Sequence, residues 1–324
     1  MSKRTPEFQI IHEFFEVQAA LACDPSVVIG IGDDCAVLAP SPTKQQVISV
    51  DTSIADRHFP ADAPAFDIAY RALNVALSDL AAMGATACWF TLAISLNEYD
   101  KNWLQEFSKG LFTAANNANV TLIGGDTTRV PKSAPLSITV QVHGEVEAGQ
   151  ALLRSNAKVG DIIYVSNHLG EAAAGLHCYQ NEIQQEPLLQ AYLRPEPQLQ
   201  LGQKLAGLAH SCVDISDGLL ADLGHILEKS AVGAELDIDS IPLSASLLNL
   251  CENKQQALQF ALTGGDDYQL LFTASADDRI IALDNVTAIG RISQQLGIHF
   301  INAEADFAKT LTQSGFDHFH ESSV

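Results

Sequence analysis

Six aspartate clusters recur along the 324 residues: Gly32-Asp33-Asp34, Asp51, Ser78-Asp79, Gly124-Gly125-Asp126, Asp214-Ile215-Ser216-Asp217-Gly218 and Gly264-Gly265-Asp266-Asp267. All but Ser78-Asp79, which sits in a helix-like stretch, stand at the edge of an apolar segment, where loops meet rigid elements. Carboxylates gathered in one place repel each other and stay partly protonated unless cations join them. Hard divalent cations with oxygen ligands are the natural partner, and magnesium carrying a nucleoside triphosphate is the commonest such arrangement. One aspartate after glycine reads as a turn former or a cap; six such clusters in one chain point to a metal site.

The phosphate side of that chemistry is sparse. There is no G-x-x-x-x-G-K-[ST] loop, and Gly30-Ile31-Gly32 begins a G-x-G-x-x-G that Asp33 and Asp34 interrupt. Carboxylates there repel bare phosphate, so phosphate contact must run through a cation. Arg154, Lys158 and Arg129 are candidate protein cations. His58, seven residues after Asp51, is a candidate in the loop that follows it, and His318 is a weaker one.

Composition narrows the field. Eighteen basic against 39 acidic residues give a net charge of −21, which argues against nucleic acid or an anionic membrane surface as partner. The hydrophobic content of 47% suffices for a real core. The cysteines are scattered with no Cys-x-x-Cys pair, which disfavours zinc and thioredoxin-like chemistry. No secretory signal and no run of membrane-spanning length are visible, so a cytoplasmic protein with reduced thiols is expected.

The elements that must position the acidic residues follow from periodicity. Phe8, Ile11, Phe15 and Gln18 suggest an N-terminal amphipathic helix. Val47 to Asp51 alternates, with Ile48 and Val50 on one face and Ser49 and Asp51 on the other, so two oxygen side chains at i and i+2 can reach one metal cluster. Phe66, Tyr70, Leu73, Leu77 and Leu80 form a helical stripe stopped at Gly84. Asp79 lies roughly 200° from Leu77, on a face shared with Ala72, Val75 and Ala82. Cys88 to Leu96 reads as a strand, Trp103 to Ala118 as a helix, and Val120 to Gly124 as a strand leading to Asp126. Leu136, Ile138, Val140, Val142 and Val146 mark the clearest strand. After a boundary near Gly149 to Leu153 the mixture starts again, with helices over Glu171 to Tyr179, Leu199 to Leu208 and Leu219 to Leu227. Strands are expected at Ile162 to Val165, Ala234 to Ile238, Tyr268 to Phe272, Val286 to Ile292 and Ile298 to Ile301. The interleaving implies an α/β class with α+β-like mixed sheets.

Gly30-Ile31-Gly32-Asp33-Asp34-Cys35-Ala36, Leu77-Ser78-Asp79-Leu80-Ala81-Ala82-Met83-Gly84, Gly124-Gly125-Asp126-Thr127-Thr128-Arg129, Asp214-Ile215-Ser216-Asp217-Gly218-Leu219 and Gly315-Phe316-Asp317-His318-Phe319 resemble, in order and approximate spacing, the thiamine-monophosphate kinases. The resemblance spans nearly the whole chain; one motif alone points only to the wider superfamily that includes aminoimidazole ribonucleotide synthetase and selenophosphate synthetase. It implies transfer of the γ-phosphoryl of ATP onto thiamine monophosphate, the last step of thiamine diphosphate biosynthesis. It implies two α/β domains of the aminoimidazole ribonucleotide synthetase type. Residues 1–150 would bind metal and ATP and pair with a second subunit into a homodimer; residues 151–324 would complete the nucleotide and substrate site.

Asp34, Ser49, Asp51, Asp79, Asp126, Asp214 and Asp217 match magnesium positions of that family, and Val50 falls at another. Gly125, Asp126, Arg154 and Ser216 match ATP contacts. His58, Asp266 and Phe316 match thiamine-phosphate contacts. Two departures stand out. Val50 replaces a frequent Thr and leaves only a backbone carbonyl for metal. Gly264-Gly265-Asp266-Asp267-Tyr268-Gln269 stands where the family typically has Gly-Gly-Glu-Asp-Tyr-Glu. The implied nucleophile is an already ionised phosphate oxygen, so no catalytic base is expected; positioning and charge neutralisation carry the transfer. Two other readings stay open: a related ATP-dependent synthetase, and a non-enzymatic acidic calcium-binding module, against which the missing EF-hand spacing argues.

Overall fold

The computed structural model describes residues 9–22 and 24–303. Two compact units emerge, Met1–Leu80 with Ala85–Gly149 and Ala81–Gly84 with Gln150–Val324.

The first unit holds a four-stranded sheet in the order β3 (Lys44–Ile54), β6 (Ser137–Glu147), β4 (Thr86–Leu96), β5 (Thr121–Arg129). β6 runs antiparallel to both neighbours, and β4 and β5 are parallel. The expected period of two holds on β6, where Ile138, Val140, Val142 and Val146 are buried while Thr139, Gln141 and His143 are only half-buried. It holds on β3 as well: Ser49 and Asp51 face inward, while Ile48 and Val50 are each 57% exposed on the other side. A pair of short antiparallel strands, β1 (Val27–Ile29) and β2 (Val37–Leu38), frames the Gly32-Asp33-Asp34 loop. The chain entering β1 is pinned by Trp89, whose buried indole N–H donates to Asp24 Oδ2 at 2.9 Å and Ser26 Oγ at 3.0 Å.

The N-terminal helix differs from the expected one. Ile11–Glu16 is a π-helical turn (α1) that continues as the short α2 (Val17–Ala19). A π turn is wider than an α turn, so the inward face becomes Ile10, Phe14, Phe15 and Ala19, spaced by four and five, and Gln18 is exposed. Phe8 lies outside the described residues.

Helix α3 (Ala65–Ala82) is more deeply buried than one stripe predicts. Ala69, Leu73, Ala76, Leu77, Leu80 and Ala81 have no exposed surface, whereas Val75 and Asp79 keep partial access on the small-residue face. Gly84, at φ +68, ends the helix through Ala85 N–H donating to Leu80 O at 2.9 Å. Helix α4 (Lys101–Ala118) is capped by Asp100, which accepts from Asn102 N and Trp103 N. Its Gly110 lies against α3, and a Cβ there would sit 2.1 Å from Phe66 O.

The second unit is a six-stranded sheet, β12 (Gly297–Ile301), β9 (Gly233–Asp237), β11 (Val286–Ser293), β7 (Ile162–Ser166), β10 (Leu270–Ala274), β8 (Ser211–Asp214), antiparallel except for β12 with β9. Both faces are covered. Ile163, Val165, Val213 and Leu271 pack with α8 (Leu219–Ser230) and α10 (Lys254–Thr263). Tyr164, Cys212, Leu270 and Phe272 pack with Leu205 of α7 (Leu199–Leu205). That explains why the central strands read as continuous apolar runs. A satellite cluster joins α5 (Glu171–Gln180), α6 (Glu186–Leu193) and α9 (Ala245–Leu250) to α10.

Replacing Gly110 by Ala tests the α3–α4 approach. Helix propensity alone favours Ala by roughly 1 kcal/mol, but the Cβ has no room against Phe66 O. Gly110→Ala is expected to lower stability by about 1–3 kcal/mol in denaturant unfolding, and a gain in stability would show that the helices are not in close contact there.

Candidate active site

In the first unit the structure brings Ser49, Asp51 and Asp79 together. Ser49 Oγ donates to Asp79 Oδ2, joining the inward face of β3 to the small-residue face of α3. Burial, and then the neighbouring Asp79 charge, push the Asp51 carboxyl up to about 6. Two carboxylates and a hydroxyl converging in partial burial suit a hard divalent cation. Val50 points to the opposite face, as the alternation requires, so its side chain takes no part in this group.

Asp126 lies within β5 rather than in a loop after a shorter strand. The register aligns Asp126 with Ala93, Thr139 and Thr52 in one row across the sheet. Asp126 is therefore three strand spacings from β3, about 14 Å along the sheet, and is not part of the Ser49–Asp51–Asp79 group. It is exposed and accepts from Thr128 Oγ1 at 2.8 Å. Gly125 before it has φ +155, and a Cβ would fall 1.8 Å from Leu92 O, so only glycine lets the strands approach here. Asp33 and Asp34 are exposed between β1 and β2, with Asp33 Oδ1 accepting from Asp34 N at 2.8 Å.

His58 sits in the tight turn that ends β3. Its Nδ1 accepts the Ile54 N–H at 3.0 Å, which leaves the neutral ring's proton on Nε2 and makes that atom a donor.

In the second unit two glycine-bearing loops are zipped together. β8 ends at the buried Asp214, and the strand pairing continues past it: Ile215 N–H donates to Gln269 O, Tyr268 N–H to Ile215 O, and Asp266 N–H to Ser216 O, each at 2.8 Å. Gly265 makes this possible, since a Cβ would lie 2.4 Å from Ser216 O. Asp214, Ser216, Asp217 and Asp266 thus come from one pair of adjacent loops. Arg154 is exposed elsewhere in this unit, before β7. Phe316 and His318 lie outside the described residues.

The neighbouring aspartates divide the work. Asp267 is buried, and its carboxylate accepts Gly170 N–H at 2.6 Å and Ala172 N–H at 3.2 Å at the start of α5. Burial pushes it up to about 7 against the pull of those two amides. Asp266 keeps partial exposure, in a left-handed conformation at φ +71, and accepts from the Tyr268 hydroxyl at 2.9 Å. Strained backbone of this kind concentrates at functional sites. Gln269 suits its place as an amide: its Oε1 accepts from Ser166 Oγ and Asn167 Nδ2, while its Nε2 donates to Asp267 O at 3.2 Å, a bond no carboxylate could make.

One acidic residue went unremarked in the sequence. Asp222, in the first turn of α8, accepts the N–H groups of Ser216, Asp217 and Gly218 on one oxygen, at 3.0, 3.0 and 3.1 Å. Burial, and then the Asp217 charge, push it up to about 7 against those three bonds. Asp217, Asp222 and His225 also place one ligand atom each within 4.8 Å of one another. The usable signal was an aspartate four residues into the helix after the glycine.

Residues 32–146 match the AIR synthase related protein N-terminal domain, and residues 158–299 match the corresponding C-terminal domain. The chain is 42% identical over 331 residues to the thiamine-monophosphate kinase of Haemophilus influenzae, covering 98% of each. A solved thiamine-monophosphate kinase from Stenotrophomonas maltophilia superposes with a TM-score of 0.83 at 44% identity, over 91% of this chain and 96% of that one. AaThiL complexed with AMPPCP and TMP superposes with a TM-score of 0.78 at 26% identity, over 98% of this chain and 100% of that one. With both domains matched and 42% identity over nearly the whole length, the chain belongs to the thiamine-monophosphate kinase family.

Proposed function

We propose that the chain transfers the terminal phosphoryl group of ATP directly to thiamine monophosphate, with magnesium held by its acidic loops, giving thiamine diphosphate and ADP. The observation that carries the magnesium assignment is Asp51, a partly buried carboxylate raised to about 6 beside Asp79 with Ser49 completing the group. In the first unit Asp34, Ser49, Asp51, Asp79 and Asp126 are the ligands of several magnesium ions, Asp126 serving a different ion from the Ser49–Asp51–Asp79 group, with the Val50 carbonyl as a further candidate. In the second unit they are Asp214 and Asp217. Magnesium, when bound, neutralises phosphate charge and holds the transferring group in line.

The remaining roles belong to the chain's own atoms. Gly125, Asp126, Arg154 and Ser216 contact ATP; the Gly125 backbone can approach a nucleotide closely because it carries no side chain. His58 Nε2–H donates to the phosphate of thiamine monophosphate. Asp266 accepts from the acceptor substrate, with Phe316 as a further contact. Asp267 is not an alternative to Asp266, since its carboxylate is committed to the start of α5.

Ile48 and Val50, exposed on the uncovered sheet face, support pairing of two first units in a homodimer. The five described cysteines are free thiols, which suits a cytoplasmic enzyme. No helix among the described residues is long and apolar enough to cross a membrane.

Four measurements test this reading. Coupled ADP release should depend on thiamine monophosphate; release that ignores it, or that requires a different acceptor, points to a related synthetase instead. Asp51→Asn and Asp126→Asn should each lower turnover by roughly a hundredfold with folding intact. For Asp51 the sign with pH is fixed: its ordinary value is raised to about 6, and proton and cation compete for the ionised form. Magnesium affinity should be complete above that pH and fall up to about tenfold per pH unit below it. Wild-type affinity that stays flat between pH 5 and 7 would remove Asp51 from the ligand set.

The fourth measurement concerns Asp266. Asp266→Ala should raise KM for thiamine monophosphate by a factor worth about 1–3 kcal/mol and leave KM for ATP nearly unchanged, while Asp266→Glu is tolerated. Equal rises in both constants would show that Asp266 does not read the acceptor.

A further inference from the structure

We infer that Asp222 is a positioning residue for the loop Asp214–Gly218, and that it acts by filling an anion nest with the chain's own carboxylate. The inference rests on the proposed roles of Asp214, Ser216 and Asp217. Three successive N–H groups, from Ser216, Asp217 and Gly218, converge on a single atom, Asp222 Oδ2. Gly218, at φ +118, is the turn that aims them. Asp222 N–H in turn donates to Gly218 O at 3.0 Å, so residues 218 and 222 are tied in both directions. The side chain is 2% exposed and sits on a twelve-residue helix, a rigid base for the loop.

Convergent backbone N–H groups at a helix start are the usual cradle for a phosphate oxygen. Here that cradle is closed by a side chain from the same helix. Two consequences follow. The loop cannot offer these amides to nucleotide phosphate, so phosphate recognition at this loop falls to cations on Asp214 and Asp217 and to the Ser216 side chain. The loop bearing the carboxylates is also tied to α8, because the N–H groups of Ser216, Asp217 and Gly218 are bonded to its first turn. Asp222 touches no reacting atom; its effect is to hold in place the loop that carries both proposed ligands.

The test is the magnesium requirement of the full chain, read both as the dissociation constant for magnesium in isothermal titration calorimetry and as the magnesium concentration giving half-maximal ADP release at saturating ATP and thiamine monophosphate. Asp222→Ala should raise it at least tenfold and leave KM for thiamine monophosphate unchanged. Asp222→Asn, whose amide oxygen can accept the same N–H groups, should stay within about threefold of wild type. Where Asp222→Ala does not fold, Asp222→Glu carries the test: its carboxylate is one methylene further out, and a several-fold rise with an unchanged circular dichroism spectrum is expected. A wild-type magnesium requirement in the folded Ala or Glu variant overturns the inference. So does an Asn variant as impaired as Ala, which would mean that Asp222 acts by charge. Asp214→Asn and Asp217→Asn separate the two levels: if neither raises the magnesium requirement, the ligand assignment itself fails, whereas a wild-type Asp222→Ala beside impaired Asp217→Asn removes only the positioning role.

Discussion

Asp51 and Asp79 hold two like charges together, partly out of water, and the first unit is arranged so that they stay there. The rise of Asp51 from 3.8 to about 6 corresponds to roughly 3 kcal/mol against its ionised form. A fold maintains such a cost only if the neighbouring structure is rigid. Here β3 is registered over its whole length on β6, and α3 is buried along its core-facing turns. The Ser49 hydroxyl, donating to Asp79, satisfies one oxygen of the pair. A divalent cation would remove the repulsion, which suits this group to the proposed magnesium role and makes it a poor site for bare phosphate.

The second unit solves a related problem with backbone amides. Asp267 and Asp222 are both buried carboxylates, and both are held by N–H groups at helix starts, the former across to α5 and the latter within α8. Their charge is spent on architecture. Asp266 and Asp217, beside them in sequence or space, retain partial exposure, as the roles proposed for them require. The close approach of the two loops through Gly265, with the backbone bonds between them, ties the proposed metal-side and acceptor-side residues of this unit to each other. A substitution at Asp267 or Asp222 is therefore expected to be felt at residues it does not touch.

Much of this was open to reading from the chain alone. The alternation of β3 separates Ser49 and Asp51 from Ile48 and Val50, and that of β6 marks its buried side, because a strand's two faces are set by adjacent residues. The C-terminal stop of α3 at Gly84 and the small-residue face around Asp79 are equally local. The π turn at Ile11–Glu16 was not legible, since an i, i+3, i+4 pattern assumes the narrower helix and moves the predicted face by one residue. Asp126 was expected beyond the end of its strand. Pairing with β4, made possible by Gly125, extends that strand through Arg129, and only the partner strand decides such an end.

The sequence by itself determined which residues could bear charge and how they are grouped: the acidic clusters, the scarcity of cations and the departures at Val50, Asp266 and Gln269. It could not determine which aspartates face ligands and which serve the fold. Asp266 and Asp267 are adjacent and chemically identical, and they part only because the N–H groups of Gly170 and Ala172, nearly a hundred residues earlier, arrive at one of them. Asp222 was silent for the same reason: a carboxylate's role is set by the donors that reach it. Those donors are backbone groups whose positions exist only once the strands have paired and the loops have closed.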